Sequence, residues 1–285
     1  MTAADELIGS KGNGQTRRLA VLGRPIGHSL SPRIHNAALA HLGMDGEWSY
    51  EAIEVGPDEF AERTRALPAA GFVGANVTIP HKRAALALAD RSSDRASEIG
   101  AANTLSFSEG SVIADNTDAP GFLAALPTDP RGRAALVLGA GGSARAVVWA
   151  LGGVGVSVSI WNRTAANADA LAEELGATVI APPGKLPIRD YDLIVNTTSV
   201  GLGGSSPEDL NDLRVAPEQL SDAQTVVDLV YGEAKTELLR VARCAGARTV
   251  DGREVLVRQG AESFRIWTGI EPPLEVMRRA AKQRA

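Results

Sequence analysis

From residue 133 to about residue 250 the chain alternates short apolar runs with longer amphipathic stretches. The runs are Ala134–Leu138, Val156–Trp161, Ala177–Ile180, Leu193–Val195, Thr225–Val230 and Ala247–Val250. Each has the length of a strand, and helical patterns fill most of the gaps between them. The pattern therefore predicts a doubly wound α/β unit of strand order 3-2-1-4-5-6, with its ligand at the C-terminal edge of the sheet.

Upstream the periodicity is more mixed. Leu19–Gly23 reads as a strand that runs into a loop crowded with hydroxyls, Arg24 to Arg33. Ser31 followed by Pro32 predicts a helix start, with serine as N-cap and proline in the first helical position. That helix would turn Ile34, Ala38 and Leu42 inward and stop at Gly43. Trp48–Val55 alternates like a strand, Asp58–Leu67 reads as a helix and Phe72–Val77 as a strand. Pro80 in a first helical position would put Lys82 in the first turn of a helix that continues through Ala84–Ala89. Thr104–Phe107 and Ser111–Ala114 flank Glu109-Gly110 and predict a hairpin. Asp115-Asn-Thr-Asp118 then leads into a new helix, with Asp118 as one candidate N-cap. Two helices, around Glu254–Thr268 and Pro273–Lys282, end the chain. The expected organisation is a tail over 1–17, one α/β domain from 18–118 and 256–285, and a second from 119–255, the C-terminal helices packing back on the first.

Two stretches carry recognisable chemistry. In the second half, Ala134–Leu138 is followed by Gly139-Ala140-Gly141-Gly142-Ser143-Ala144 and then by a helical pattern. Strand, glycine turn and helix form the context in which a G-x-G-x-x-G/A sequence binds a dinucleotide. Gly139 would allow the sharp turn, Gly141 would admit a pyrophosphate, and the small Ala144 would let helix and strand pack closely. The helix N-terminus offers free N–H groups to phosphate. The next strand ends in Asn162-Arg163-Thr164, where an NAD site usually carries an acid for the ribose 2′-hydroxyl. A guanidinium there suits a 2′-phosphate instead, so the expected cofactor is NADP. Asn196-Thr197-Thr198 follows the fourth strand on the same edge, where the nicotinamide end belongs, and Gly201–Ser206 could act as a lid.

In the first half, Gly74 to Lys82 is the informative loop. A cation in the first turn of a helix is disfavoured by a few tenths of a kcal/mol, about 0.3 or more, which suits a lysine that passes on its proton. Ser29, outside the expected helix, has no evident capping duty.

Composition narrows the partners. The chain has 285 residues, 44% of them hydrophobic, and a net charge of −5. No long basic run exists, which argues against nucleic acid or an anionic membrane as the main partner. A single cysteine, Cys244, excludes an intrachain disulfide and disfavours a cysteine metal site; its helical setting suggests a core position. No apolar run approaches the roughly 18 residues of a membrane span, and the first residues lack a secretory pattern, so the cytoplasm is the expected location. No metal site is expected.

The loops together resemble one family. Pro-Ile-Gly-His-Ser-Leu-Ser-Pro (25–32), Ala-Asn-Val-Thr-Ile-Pro-His-Lys (75–82), Gly-Ala-Ala-Asn-Thr (100–104), Asn-Thr-Asp (116–118), Gly-Ala-Gly-Gly-Ser-Ala (139–144) and Asn-Arg-Thr (162–164) occur in the order seen in shikimate dehydrogenases. So do Asp228-Leu-Val-Tyr231 and Gln259 ahead of Trp267-Thr-Gly. The resemblance implies a substrate domain followed by a Rossmann-type NADP-binding domain, and an enzyme of chorismate and aromatic amino-acid biosynthesis. Its reaction would be the reversible reduction of 3-dehydroshikimate to shikimate with NADPH. It gives Lys82 and Asp118 the catalytic roles. Ser29, Ser31 and Tyr231 would bind the substrate carboxylate, and Asn76, Thr78, Asn103 and Gln259 the ring hydroxyls. Arg163, with Asn162 and Thr164, would take the 2′-phosphate. Thr197, Leu229 and Gly252 would complete the cofactor contacts. The partners implied are a small-molecule substrate and at most a second copy, as monomer or homodimer.

Three positions depart from the family pattern. A basic residue usually follows Asn-Arg-Thr, whereas Asn167 and alanines stand here. Glu233 replaces a proline, and Glu254-Val255-Leu256 replaces Gly-Met-Leu. Two other functions compete with the leading one. A quinate/shikimate dehydrogenase preferring NAD would have to accommodate an extra hydroxyl near Ser29 and Ser31. A non-catalytic NADP-binding sensor would have no need of both Lys82 and Asp118.

Overall fold

The computed structural model describes residues 16–232 and 234–283. Most of the tail expected over 1–17 lies outside the described residues, as does Glu233; Arg17 already belongs to the first strand. The chain divides into two compact units, one running to Gly121 and resuming at Leu256, the other spanning Phe122–Val255.

The first unit is built on a six-stranded sheet. Its elements in chain order are β1 (Arg17–Gly23), α1 (Ser31–His41), β2 (Trp48–Glu54), α2 (Phe60–Ala66), β3 (Phe72–Val77), α3 (Lys82–Leu88), β4 (Arg91–Ser92), α4 (Asp94–Ile99), β5 (Thr104–Ser108), β6 (Ser111–Asp115) and the start of α5 (Asp118–Ala125). The sheet order is β2-β1-β3-β5-β6-β4. β1 pairs in parallel with β2 and β3, while β5 runs antiparallel to β3 and to β6. The ends of β1, β3 and β6 and the start of β5 therefore share one edge, where the loops with candidate residues emerge.

Side chains alternate across β1, so each face of the sheet acquires its own core. Leu19 and Val21 join Ile34, Ala38 and Leu39 of α1, together with Phe264, Trp267 and Met277 from the C-terminal helices. Ala20 and Leu22 join Phe60, Phe72 and Leu105 on the other face. Leu42, expected to turn inward, is instead exposed just beyond α1, and Leu39 takes the inward position.

The second unit holds β7 (Ala134–Leu138), α6 (Gly142–Gly153), β8 (Ser157–Trp161), α7 (Ala165–Leu175), β9 (Thr178–Val179), β10 (Leu193–Asn196), α8 (Asp209–Asp212), β11 (Thr225–Asp228), α9 (Glu237–Cys244) and β12 (Arg248–Asp251). Its sheet runs β12-β11-β10-β7-β8-β9, parallel throughout. Counted within the unit, that is 3-2-1-4-5-6 read from the β9 edge, as the apolar runs predict. Cys244 is exposed rather than in the core. The buried face of α9 is Leu238, Leu239 and Ala242, and the helical period carries position 244 away from it. Two more helices follow, α10 (Gly252–Thr268) and α11 (Leu274–Lys282), the latter packing on α1.

Close approach of backbone, rather than turn chemistry, explains two glycines. A side-chain carbon on Gly74 would fall 2.2 Å from the Trp267 indole nitrogen, and that nitrogen donates to the Leu105 carbonyl at 3.0 Å. A carbon on Gly121 would fall 2.6 Å from the backbone nitrogen of Gln259. Gly121 thereby lets α5 and α10 meet closely enough to present Gln259 beside the start of α5.

His35 is fully buried and stacks on Tyr50 with ring centroids 4.2 Å apart and planes within 7°. Neither ring nitrogen has a hydrogen-bond partner. Burial drives its pKa from the ordinary 6.5 down to about 3, so it stays neutral in the folded protein. An unfolded chain takes up that proton below about pH 6.5 while the folded one does not until about pH 3. Stability therefore falls as pH drops through this window, by about 2 kcal/mol between pH 7 and pH 5. Urea unfolding of the native protein and of His35→Phe at both pH values tests this. The variant should gain about 2 kcal/mol on the native protein at the lower pH, whatever its baseline; a pH-independent gap would show that His35 titrates when folded.

Candidate active site

In the first unit the candidate residues converge on a polar cluster at the sheet edge. β3 ends at Val77, and Thr78 donates its backbone N–H to the Leu22 carbonyl at 2.9 Å, which locks the loop after β3 against the end of β1. Pro80 lies ahead of α3, not inside it; Lys82 is the first helical residue and His81 caps it. His81 is buried, stacked on Phe60 at 4.3 Å and bonded through Nε2 to the Val55 carbonyl at 2.7 Å. Its role is to seat the turn that delivers Lys82. His28 and His41 are exposed.

Asp118 begins α5 but does not cap it. The Asn116 side chain does, accepting the Ala119 N–H at 3.2 Å. The Asp118 carboxylate is thereby left for other partners, and Lys82 Nζ donates to its Oδ2 at 2.6 Å. The two side chains are 11% and 17% exposed, dry enough to strengthen the pair yet still reachable.

Behind this pair lies a dense buried network. The Asn103 Nδ2 group donates to Asp118 Oδ1 at 2.9 Å, Thr117 Oγ1 at 2.9 Å and Gln259 Oε1 at 3.0 Å. Asn103 Oδ1 accepts the Thr117 backbone N–H at 2.7 Å, and since a backbone N–H can only donate, the amide's orientation is determined. Asn76 lies one layer deeper. Its Oδ1 accepts the Tyr50 hydroxyl at 2.7 Å, and its Nδ2 donates to Ser263 Oγ at 2.8 Å and to the Asn103 carbonyl at 3.1 Å. Both ends of Asn76 are thus engaged within the protein. Tyr50, Thr104, Thr117 and Ser263 complete the cluster, and sequence reasoning missed all four. Ser263 left a signal, since it stands four residues after Gln259 on one helix face.

The serines exchange their expected duties. Ser31 is the first residue of α1, not its N-cap, and is buried; the N-cap is Leu30, with no side-chain bond. Ser29 supplies the nearest substitute, its Oγ accepting the Ser31 N–H at 3.3 Å. Ser31's own hydroxyl is therefore released from capping.

In the second unit the glycine turn joins β7 to α6 as expected. Gly139 has φ 113°, a region that favours glycine, and a side-chain carbon there would lie 2.6 Å from Thr197 Oγ1. Thr197 in turn donates to the Leu138 carbonyl at 2.7 Å. Ala140 is half-buried within the turn, and Gly141 caps the helix with an extended backbone, no side-chain bond and open space where a Cβ would point. Helix α6 starts at Gly142-Ser143, with Ala144 fully buried against the sheet. A helix start with no side-chain cap and room beside Gly141 fits a pyrophosphate. At the end of β8, Asn162 Nδ2 donates to the Thr164 carbonyl at 2.8 Å, closing a turn that leaves Arg163 and Thr164 exposed. Leu229 donates its N–H to the Asn196 carbonyl at 2.9 Å, and a side-chain carbon on Gly252 would meet the Leu229 carbonyl at 2.4 Å. Leu229 and Gly252 are thus neighbours. Tyr231 is half-buried in the segment after β11.

Asp228, at the end of β11, is buried and binds three loops. It accepts from Asn196 Nδ2 at 2.9 Å, from the Val230 N–H at 3.0 Å and from the Thr236 hydroxyl at 2.6 Å. Burial pushes its carboxyl up to about 6, against the pull of these bonds. Among the described residues no group of three His, Cys, Asp or Glu could hold a metal ion, and no helix is long and apolar enough to cross a membrane.

Comparison with known proteins agrees with this layout. Residues 21–105 match the family model of the shikimate dehydrogenase substrate binding domain, 125–229 that of shikimate / quinate 5-dehydrogenase, and 252–282 that of the shikimate 5'-dehydrogenase C-terminal domain. The chain is 45% identical over 273 residues to the shikimate dehydrogenase (NADP(+)) of Mesorhizobium japonicum, covering 93% of this chain and 95% of that one. The shikimate dehydrogenase structure from Aquifex aeolicus superposes with a TM-score of 0.86 at 38% identity, covering 95% of this chain and 100% of the other. The Thermus thermophilus shikimate 5-dehydrogenase, solved with NADP(H) and shikimate, gives 0.83 at 42% identity, covering 94% and 99%. With matches that run through both units and over more than nine-tenths of its length, the chain belongs to the shikimate dehydrogenase family.

Proposed function

We infer that this chain is an NADP-dependent shikimate dehydrogenase, which interconverts 3-dehydroshikimate and shikimate in the synthesis of chorismate and the aromatic amino acids. The observation that carries the reading is the Lys82–Asp118 contact of 2.6 Å, held on the Asn103 amide at the edge of the first unit. A sensor that only bound NADP would have no use for such a pair.

Reducing a ketone requires a hydride at carbon and a proton at oxygen. When bound, NADPH supplies the hydride. Lys82 donates a hydrogen bond to the carbonyl oxygen, stabilises the alkoxide as it forms and passes it a proton, work worth about 10²–10⁴-fold. Asp118 holds the ammonium in place and balances its charge, and water restores the proton afterwards. In the reverse direction the same lysine, neutral, accepts the hydroxyl proton.

The remaining roles follow from position. Ser31, freed from capping, and Ser29 bind the substrate carboxylate together with Tyr231. Asn76, Thr78, Asn103 and Gln259 bind ring hydroxyls, with Asn76 also holding Asn103 from behind. The 139–144 turn and the start of α6 take the pyrophosphate. Thr197, Leu229 and Gly252 shape the strand edge that receives the nicotinamide. Arg163, with Asn162 and Thr164, takes the 2′-phosphate, and the absence of a carboxylate at the end of β8 favours NADP over NAD. Residues 18–118 with 256–285 serve as the substrate domain and 119–255 as the cofactor domain. The reading implies a cytoplasmic enzyme acting on a small molecule, as monomer or homodimer.

Two measurements test these roles. Lys82→Ala and Asp118→Asn should each lower kcat by about a hundredfold or more, with KM for shikimate changed only a few-fold; turnover near the native rate in either would remove the proposed mechanism. Arg163→Ala should raise KM for NADP at least about tenfold while KM for NAD barely moves. Equal changes for both cofactors would remove the 2′-phosphate assignment.

A further inference from the structure

The end of β8 opens onto a groove of about 410 Å³ within the second unit. Trp161, Ala168 and Val179 contribute apolar surface to its lining, and Arg163 lines it as well. Asp212, the last residue of α8, and Arg214 just beyond it line the same groove. A cavity of this size, lined by apolar side chains and by two guanidiniums, suits an adenosine bearing an extra phosphate.

Arg214 is unusually well fixed for a loop residue. Its φ is +56°, in the left-handed region that a side-chain-bearing residue seldom adopts. Its Nη1 donates to the Pro182 carbonyl at 3.0 Å and its Nη2 to the Pro183 carbonyl at 3.1 Å. The guanidinium carbon lies 6.0 Å from the centre of the Trp161 ring. Carbonyls orient a guanidinium but leave its charge intact, and two bonds use two of its five N–H donors. Among the described residues no carboxylate forms an ion pair with it.

A phosphate monoester carries close to two negative charges near neutral pH. Arg163 alone meets one of them, and the residues that follow it, Ala165 to Ala168, bring no second cation. We propose that Arg214 is a second 2′-phosphate-binding residue, which lines the same groove as Arg163 and adds to the preference for NADP. Asp212 offsets part of this charge and leaves the groove positive by one unit, counting two guanidiniums against one carboxylate. The proposal rests on the assignment of Arg163 above.

Arg214→Gln is the informative substitution, because it removes the charge while keeping a polar, hydrogen-bonding side chain. Steady-state kinetics on the full chain should show KM for NADP raised about five- to twentyfold, with kcat and KM for NAD unchanged. Adenosine 2′,5′-bisphosphate should weaken as a competitive inhibitor in parallel, and 5′-AMP should not. Arg214→Lys should restore part of the loss. If KM for NADP does not change in Arg214→Gln, or rises equally with that for NAD, Arg214 only fastens its own loop and the proposal fails. Should Arg163→Ala move both cofactors alike, the earlier assignment fails, whatever Arg214 does.

Discussion

One buried amide holds the first unit's chemistry in register. Asn103 Nδ2 has three acceptors within 3.0 Å, Asp118 Oδ1, Thr117 Oγ1 and Gln259 Oε1, while its oxygen faces the Thr117 N–H. Asn103 precedes β5, Asp118 opens α5 and Gln259 sits on α10, so segments far apart in sequence meet on a group of a few atoms. In a low dielectric such bonds strengthen one another, and a half-satisfied member costs more than an apolar replacement. The carboxylate is thus aimed before the lysine meets it. Positioning of this kind lets Lys82 act without first reorganising its surroundings.

The second unit solves a similar problem with a carboxylate. Asp228 ties together Asn196 at the end of β10, Val230 on the way to Tyr231, and Thr236 at the start of α9. Parallel strands leave their loops independent at the C-terminal edge, so some group must hold those loops at fixed spacing. Burying a charge for that purpose is unfavourable, and burial raises the carboxyl to about 6. Three hydrogen bonds offset it only in part.

How much of this is legible from the chain depends on the range of the force involved. The second sheet is readable strand by strand, because six short apolar runs between helical patterns admit few arrangements, and the glycine turn announces its own strand and helix. Capping is legible only as a need. Ser31 and Asp118 both have the pattern of N-caps, yet Leu30 and Asn116 stand in their place. In both places the hydroxyl or amide that meets the helix end comes from two residues earlier, Ser29 for Ser31 and Asn116 for Asp118, and only the packed structure chooses among such neighbours. Cys244 reads as core from its residue type in a helical stretch, whereas the period set by Leu238, Leu239 and Ala242 carries it off the covered face. Asn76 is readable as polar and important, but not as a residue already bonded at both ends.

Contacts made by the absence of a side chain are the least legible of all. Gly121 reads as an ordinary residue in a helical stretch, where glycine costs about 1 kcal/mol relative to alanine. The backbone of Gln259, within 2.6 Å of where its Cβ would be, makes that cost intelligible. An added methyl would have to push α10 away from α5 or bend it, and Gln259 would leave the Asn103 amide. Gly252 repeats the arrangement within the second unit, where the first residue of α10 lies against the Leu229 carbonyl. Each of these approaches is therefore set by a missing side chain rather than by any favourable bond made there. A sequence rule that scores residues for what they contribute cannot see a residue whose contribution is the space it leaves.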